Sequence, residues 1–240
     1  QHLSVLTLAA RSTIYKVLGI FVLMAATEGA MFYFTWKRPD GELLGLEQLV
    51  SQSRLALISG AFFLLLCVLL SLNGCEVGGS KLRYTLGRLS VGEKTIVFWW
   101  AIYNVVCFFL FWVVQLVIVL LLGRLYLAWT DAAYVSGQTI MLAFYRNNFL
   151  HSLLPLAETS RYIRNAMFVL GLGISAAYFS FRQRHGEKGI AIVILALLVV
   201  VYFSRAMGSF GSDLALSLTT LGIIGGAVGI WKERGLEDEF

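Results

Sequence analysis

The sequence has few charged residues for its length, and this scarcity argues against a soluble fold. Asp, Glu, Lys and Arg make up 14% of the 240 residues, whereas 58% are hydrophobic and the mean hydropathy is +0.78. A soluble domain of this size would need more surface charge and could not bury so much apolar area. We therefore predict an all-α integral membrane protein with a single transmembrane domain over residues 1–240.

Residues and motifs for catalysis, metal binding and cross-linking are also scarce. Cys67 and Cys107 fall inside apolar runs and Cys75 at the end of one, so no disulfide framework is implied. The chain has three widely separated histidines and lacks HExxH, CxxC and GxSxG motifs. It also lacks a GxxxxGK[ST] phosphate loop and a signal-peptide pattern. We expect no enzyme activity, metal or cofactor in this chain itself.

The charge that is present favours a membrane surface over nucleic acid. The formal net charge of +5 suits contact with the anionic headgroups of a lipid bilayer. No Lys/Arg cluster stands clear of the apolar runs, so we expect no nucleic-acid partner.

Six apolar runs predict membrane-spanning helices, because a crossing needs about 30 Å of apolar surface. The runs are Ile14–Trp36, Leu55–Asn73, Thr95–Leu122, Ile163–Phe181, Gly189–Ser204 and Leu214–Trp231. A modest excess of Lys and Arg in the connections on one side places both termini in the cytoplasm, since basic loops stay inside. The expected location is the cell membrane, as a multi-pass protein of a bacterial cytoplasmic membrane.

Three segments outside these runs predict helices lying in the membrane interface. They cover residues 1–13, 80–90 and about 138–147. A frayed terminus is an equal alternative for the first. The third belongs to a connection, Gly123–Tyr162, that is too apolar to be a free loop, and Pro155 interrupts that connection after a second apolar stretch.

The basic stretch Gly79–Glu93 predicts a docking surface for a soluble partner. Leu82, Leu86 and Leu89 repeat at helical spacing and share one face, with Arg83 and Arg88 at its rim. Ser90 and Glu93 have capping-box spacing, which predicts Ser90 as the N-cap of the third span. The alternative is a plain surface loop that carries positive charge.

Polar residues inside the runs are costly in lipid and therefore mark functional or packing positions. Glu28 lies in the first span, where it either lines a cavity or is a paired structural group. Asn104 and Gln115 are eleven residues apart in the third span and share a helical face. Both either line a pathway or hydrogen-bond to another helix.

Small residues predict close helix packing in two spans. Gly222, Gly225, Gly226 and Gly229 form two overlapping GxxxG pairs in the sixth span. Gly171 and Gly173 each begin a small-xxx-small pair in the fourth. Contacts within the chain are the default interpretation, and a subunit interface is the alternative.

The order of these parts resembles the membrane subunit of an ABC-2 type exporter. The resemblance covers the whole chain at the level of architecture. At the level of a motif it covers only residues Tyr84–Lys94, which are similar to the family's Thr-Leu-x-x-Leu-like coupling segment. It implies alternating access driven by a soluble ATP-binding subunit that holds ATP and Mg²⁺ and docks on residues 79–94. It also implies a second membrane subunit, identical or related, and an amphiphilic or hydrophobic substrate.

Two other functions fit the same sequence. A non-transporting anchor, assembly or sensor subunit would have the same spans and basic loops, but no cavity shared by Glu28, Asn104 and Gln115. An intramembrane enzyme would need two catalytic groups at one depth, and Glu28 is the isolated acid that the spans offer.

Overall fold

The computed structural model describes residues 2–37, 44–73, 92–184, 186, 189–203 and 210–237, and these residues form an all-α protein. The helices are α1 (His2–Trp36), α2 (Leu46–Gln52), α3 (Leu55–Ser71), α4 (Glu93–Trp129), α5 (Thr139–Arg146), α6 (Asn148–Leu153), α7 (Thr159–Arg184), α8 (Ala191–Phe203) and α9 (Phe210–Glu237).

Four helices are long and apolar enough to cross a membrane. These crossing segments are Thr13–Trp36, Lys94–Trp129, Thr159–Gln183 and Phe210–Gly229, in α1, α4, α7 and α9. A fifth crossing is available if α2 and α3 count as one bent span. Helix α8 has 13 residues and is about 20 Å long, shorter than the bilayer core. The described residues thus give four or five candidate spans.

Helix α7 is the centre of the bundle and packs against α3, α4, α8 and α9. Two glycines permit this close approach. A Cβ at Gly173 would lie 2.7 Å from the backbone nitrogen of Val105 in α4, and one at Gly171 would lie 2.5 Å from Cγ2 of Thr220 in α9. The small residues of the fourth predicted span therefore make contacts within the chain, as the default interpretation expects.

Helices α1 and α4 run side by side in the same direction. Side chains pair at successive levels: Thr13 Oγ1 lies 2.8 Å from the hydroxyl of Tyr103, and the rings of Trp36 and Trp129 are 4.9 Å apart at the other end. Since both residue numbers rise together, the two helices are parallel. This register places Gln115 of α4 at the level of Glu28 of α1, between the two end contacts.

Arg54 separates α2 from α3, which meet at 51°. Its backbone has φ 54°, a left-handed conformation that stops α2 after Gln52 and redirects the chain into α3. The sequence from Glu42 to Ser53 is polar with scattered leucines, and the buried Leu46, Leu49 and Val50 give α2 an apolar face.

Helices α1, α4, α7 and α9 extend beyond the predicted runs into flanking sequence, whereas α3 and α8 are one to three residues shorter than theirs. No separate interfacial helix exists at residues 1–13; α1 is continuous from His2, since no Gly or Pro interrupts this stretch. Helix α4 continues to Trp129, seven residues past the predicted end of the third span. It begins at Glu93 with Gly92 as N-cap, and the predicted cap Ser90 lies outside the described residues. The helix predicted at about 138–147 is α5.

Candidate functional site

A cavity of about 580 Å³ lies between α3, α4, α6, α7 and α8, and we call it the α3/α8 pocket. Its volume is within the range of about 300–1,000 Å³ typical of small-molecule sites. Seven aromatic side chains contribute to its wall. They belong to Phe63, Phe108, Phe111, Trp112, Phe149, Phe168 and Phe203. The lining is therefore almost wholly apolar.

The pocket opens sideways, on the surface between α3 and α8. Leu57 and Leu64 line the α3 side and are 65% and 39% exposed, and partly buried Val199 and Val200 line the α8 side. Gly60 leaves space in this wall, because a Cβ built there meets no heavy atom within 4 Å. A membrane around the bundle would put acyl chains against this mouth.

Gln115 supplies one polar group to the pocket. It is 1% exposed, and its Nε2 donates to both carboxylate oxygens of Glu28 in α1, at 3.0 and 2.9 Å. Its Oε1 is buried and has no hydrogen-bond partner. An unmet buried acceptor costs about 1–3 kcal/mol, so this amide oxygen reduces the stability of the bundle.

Asn165 of α7 supplies a second polar group, but its hydrogen bonds are made. Its Nδ2 donates to the carbonyl oxygen of Ser152 at 2.8 Å, and its Oδ1 accepts from Nη2 of Arg164 at 3.1 Å. Trp112 Nε1 donates to the carbonyl oxygen of Leu153 at 2.9 Å, so α6 is held at the same end of the pocket. That end of the pocket is therefore polar, and Ser59 of α3, which is 6% exposed, is a third polar residue in the lining.

A cluster of buried charges adjoins the polar end, where α7 and α9 begin. Nη1 of Arg164 lies 2.8 Å from Oδ1 of Asp213, and Nε of Arg161 lies 3.8 Å from Oδ2 of the same carboxylate. Arg161 also pairs with Glu158, whose other oxygen lies 3.7 Å from Nε2 of His151. Two arginines thus face two carboxylates, so their formal charges cancel.

The three polar residues predicted inside the spans are all buried, but they do not share one cavity. Glu28 and Gln115 are brought together, and Gln115 lines the pocket. Glu28 lies behind Gln115 and does not line the pocket. Asn104 is 3% exposed on α4, near the level of Tyr103, and does not line the pocket either.

The glycines of α9 make no close contact within the described chain. A Cβ built at Gly222, Gly225, Gly226 or Gly229 would meet no heavy atom within 4 Å. The default interpretation of these residues, contact within the chain, is not what the described residues show. A subunit interface stays as the alternative prediction.

The predicted docking residues Leu82, Arg83, Leu86, Arg88 and Leu89 lie outside the described residues. Among the described residues, no group of three His, Cys, Asp or Glu side chains is placed to hold a metal ion.

Sequence reasoning missed the charge cluster, although a signal was present. Arg161 and Arg164 are three residues apart and so share a helical face. Asp213 stands at the start of the last apolar run. Placing the fourth span at Ile163 and the sixth at Leu214 left Arg161 and Asp213 in connecting segments, where charge needs no explanation.

Comparison with known proteins gives no relative for this arrangement. No family model matches the chain, and neither the curated proteins nor the solved structures include a significant match. The structure and sequence therefore carry the functional argument by themselves.

Proposed function

We propose that this chain is the permease subunit of an ABC-type exporter that moves an amphiphilic or hydrophobic substrate. The observation that supports the proposal best is the α3/α8 pocket, an apolar cavity at the level of the spans with a buried polar group, Gln115, in its wall. A plain membrane anchor needs no cavity of about 580 Å³, and filling one would stabilise it.

The proposal includes six crossings, with both termini in the cytoplasm. The bent pair of α2 and α3 forms one crossing, and α8, which lies within the predicted run Gly189–Ser204, forms another. Substrate would enter from the bilayer through the mouth between α3 and α8. A soluble subunit carrying ATP and Mg²⁺ would dock on residues 79–94, and a second membrane subunit would complete the pathway.

A non-transporting anchor, assembly or sensor subunit is the second candidate. It is favoured by the positions of Glu28 and Asn104, which are buried but do not extend the polar wall beyond Gln115. Among the described residues these groups form no continuous polar track across the bundle. If the chain is a transporter subunit, its polar substrate pathway would have to lie at an interface with another subunit.

Co-purification separates the two candidates. A tagged chain isolated from its own host in a mild detergent should bring down a soluble ATP-binding protein. Leu86→Arg puts a charge on the predicted docking face, and recovery of that protein should fall about tenfold. The matched control is Ala132→Arg, an exposed position in the connection between α4 and α5 that should leave recovery unchanged. Equal recovery from all three chains, or no ATP-binding protein at all, would contradict the permease assignment.

A further inference from the structure

We infer that Glu28 is a proton-binding site inside the helix bundle. In this assignment Glu28 is a neutral carboxylic acid that donates its O–H to Oε1 of Gln115 and accepts a hydrogen bond from Nε2 of the same amide. Its ionisation requires the seam between α1 and α4 to open. Neither transport nor a partner subunit is needed for such a site, so it goes beyond the proposed function.

Glu28 is enclosed by protein and has no counter-charge there. Its side chain is 0% exposed, and no ion pair reaches it from the residues that the structure describes. The side chain that donates to it, Gln115, is neutral. Because a buried carboxylate without a cation is strongly disfavoured, the neutral acid is the form that fits these surroundings.

The helices that pack against α1 do not bring a charge to this level. Glu47 of α2 pairs with Arg146, and α3 contains no charged residue. The charged residues of α4 lie nine or more positions from Gln115, and the nearest charged residue within α1 lies twelve positions from Glu28. These residues are Glu93, Lys94 and Arg124 of α4 and Lys16 of α1. The other ionisable side chains on the facing helices are the thiols and phenols of Cys67, Tyr103, Cys107 and Tyr126, which are uncharged at neutral pH.

Gln115 offers both halves of the hydrogen-bonding pattern that a neutral acid needs. Its Nε2 lies 3.0 and 2.9 Å from the two carboxyl oxygens of Glu28, and its Oε1 is buried without a hydrogen-bond partner. An ionised Glu28 can only accept, so it uses Nε2 and leaves Oε1 unpaired. A protonated Glu28 has an O–H, and a small rotation of the amide brings Oε1 opposite that donor while Nε2 stays on the other oxygen. One proton thus removes a buried charge and satisfies a buried acceptor.

The pair lies in a closed part of the seam between α1 and α4. Phe21, Met24, Glu28 and Phe32 are three or four positions apart and share the buried face of α1. Met24 and Phe32, on either side of Glu28, are both 0% exposed, and the ring of Phe21 lies 6.2 Å from that of Phe111 in α4. Water reaches the carboxyl group when α1 moves away from α4 at this level. Loss of the proton and opening of the seam are therefore linked.

Infrared spectroscopy of the full chain in phosphatidylcholine nanodiscs at neutral pH tests the protonation state. A protonated carboxylic acid has a carbonyl band that is separate from the bands of amides and ionised carboxylates. This band should be present in wild type and absent in Glu28→Gln, which keeps the side-chain shape and can pair with the Gln115 amide. Glu47→Gln is the matched control, because it alters a partly exposed glutamate in an ion pair with Arg146 and should leave the band unchanged.

Two further spectra keep the test independent of how well Glu28→Gln folds. Isotopic labelling of the glutamate carboxyl carbon should shift the acid band of wild type, and the same labelling of aspartate should not. Gln115→Leu should keep the band but move it to higher frequency, because the acid then lacks its hydrogen bonds. Absence of a glutamate acid band in wild type would overturn the site, and an unmoved band in Gln115→Leu would overturn the role of Gln115.

The dependence of stability on pH gives a second, thermodynamic measurement. The folded chain holds a proton that the unfolded chain releases above the ordinary titration range of a carboxyl group, so folding is weakened as the pH rises. The thermal midpoint of wild type should therefore fall relative to that of Glu28→Gln between mildly acidic and mildly alkaline pH. A difference that is constant, or that changes in favour of wild type, would show that Glu28 is ionised in the folded chain and would overturn the inference.

Hydrogen–deuterium exchange tests the link between ionisation and opening. At one alkaline pH, the backbone amides of α1 and α4 around the pair should exchange faster in wild type than in Glu28→Gln, because only the wild-type side chain can ionise. The amides of α9 provide an internal control, and their exchange should be the same in both chains. Equal exchange around the pair would overturn the proposed opening of the seam.

Discussion

Asp213 is 1% exposed and lies within ion-pair distance of two buried arginines, Arg161 and Arg164. Ser160 adds a donor, with Oγ 3.3 Å from Oδ2 of the carboxylate. Breaking a buried charge pair leaves an uncompensated charge, which costs far more than losing a pair at the surface. Asp213 therefore holds the beginnings of α7 and α9 together.

Asp213→Asn should destabilise the protein by about 3–5 kcal/mol, because Arg164 would remain buried without a counter-charge. The thermal midpoint of the protein in detergent would measure this loss. Glu47→Gln makes the same chemical change in a pair with Arg146 that is 3.3 Å long and partly exposed, and it should cost about 1 kcal/mol or less. Equal shifts in the two midpoints would show that the cluster does not hold the helices.

The sequence identifies Glu28 and Gln115 as polar residues that need an explanation, and the structure supplies one by pairing them. Periodicity could not predict the pairing itself, because the partners are 87 positions apart and on helices whose register depends on the whole packing. The sequence could not predict the unpartnered Oε1 of Gln115 either. It exists because Glu28 uses one side of the amide, and this is a property of the assembled bundle.

Two helices with the same kind of small-residue pattern behave differently in the bundle. On α7, Gly171 and Gly173 are pressed against neighbouring helices, whereas on α9 Gly222 and its partners face open space within the described chain. A GxxxG pattern indicates that backbones can approach closely, but it does not say which surface approaches. Sequence alone therefore predicts the capacity for contact, and the neighbours must come from the fold.

Gly173→Ala should destabilise the protein by about 1–3 kcal/mol, because the new Cβ would overlap the backbone of Val105 and force α4 and α7 apart. Gly222→Ala should be neutral or stabilise by up to about 1 kcal/mol, since alanine favours a helix and meets nothing there. Thermal midpoints in the same detergent compare the two variants. A loss of stability in Gly222→Ala similar to that in Gly173→Ala would indicate that the α9 face is packed against something.

At the scale of the whole molecule, the described residues settle the directions of neighbouring helices. Helices α1 and α4 are parallel, since Thr13 pairs with Tyr103 and Trp36 with Trp129. Helix α7 is antiparallel to α4, since Gly173 lies against Val105, while Asn165 and Trp112 donate to the neighbouring carbonyl oxygens of Ser152 and Leu153. The apolar runs predicted most of these helices because hydropathy is a strong signal in long segments. The number of crossings does not follow from hydropathy alone, since α3 is bent against α2 and α8 is short. Which face of the membrane each end meets is a separate prediction, drawn from the positions of Lys and Arg.

The proposed six-crossing topology predicts that the two ends of α7 lie on opposite sides of the membrane. The test uses a chain whose three native cysteines are replaced by alanine. One new cysteine is placed at exposed Ala132, before α5, or at exposed Gln183, near the end of α7, so that each variant reports on one side of the membrane. In intact cells a membrane-impermeant maleimide should label Ala132→Cys and not Gln183→Cys, and both should be labelled after permeabilisation. The reverse pattern would keep the crossing and invert the orientation, which would move residues 79–94 out of reach of any cytoplasmic ATPase. Labelling of both variants in intact cells would remove α7 as a crossing.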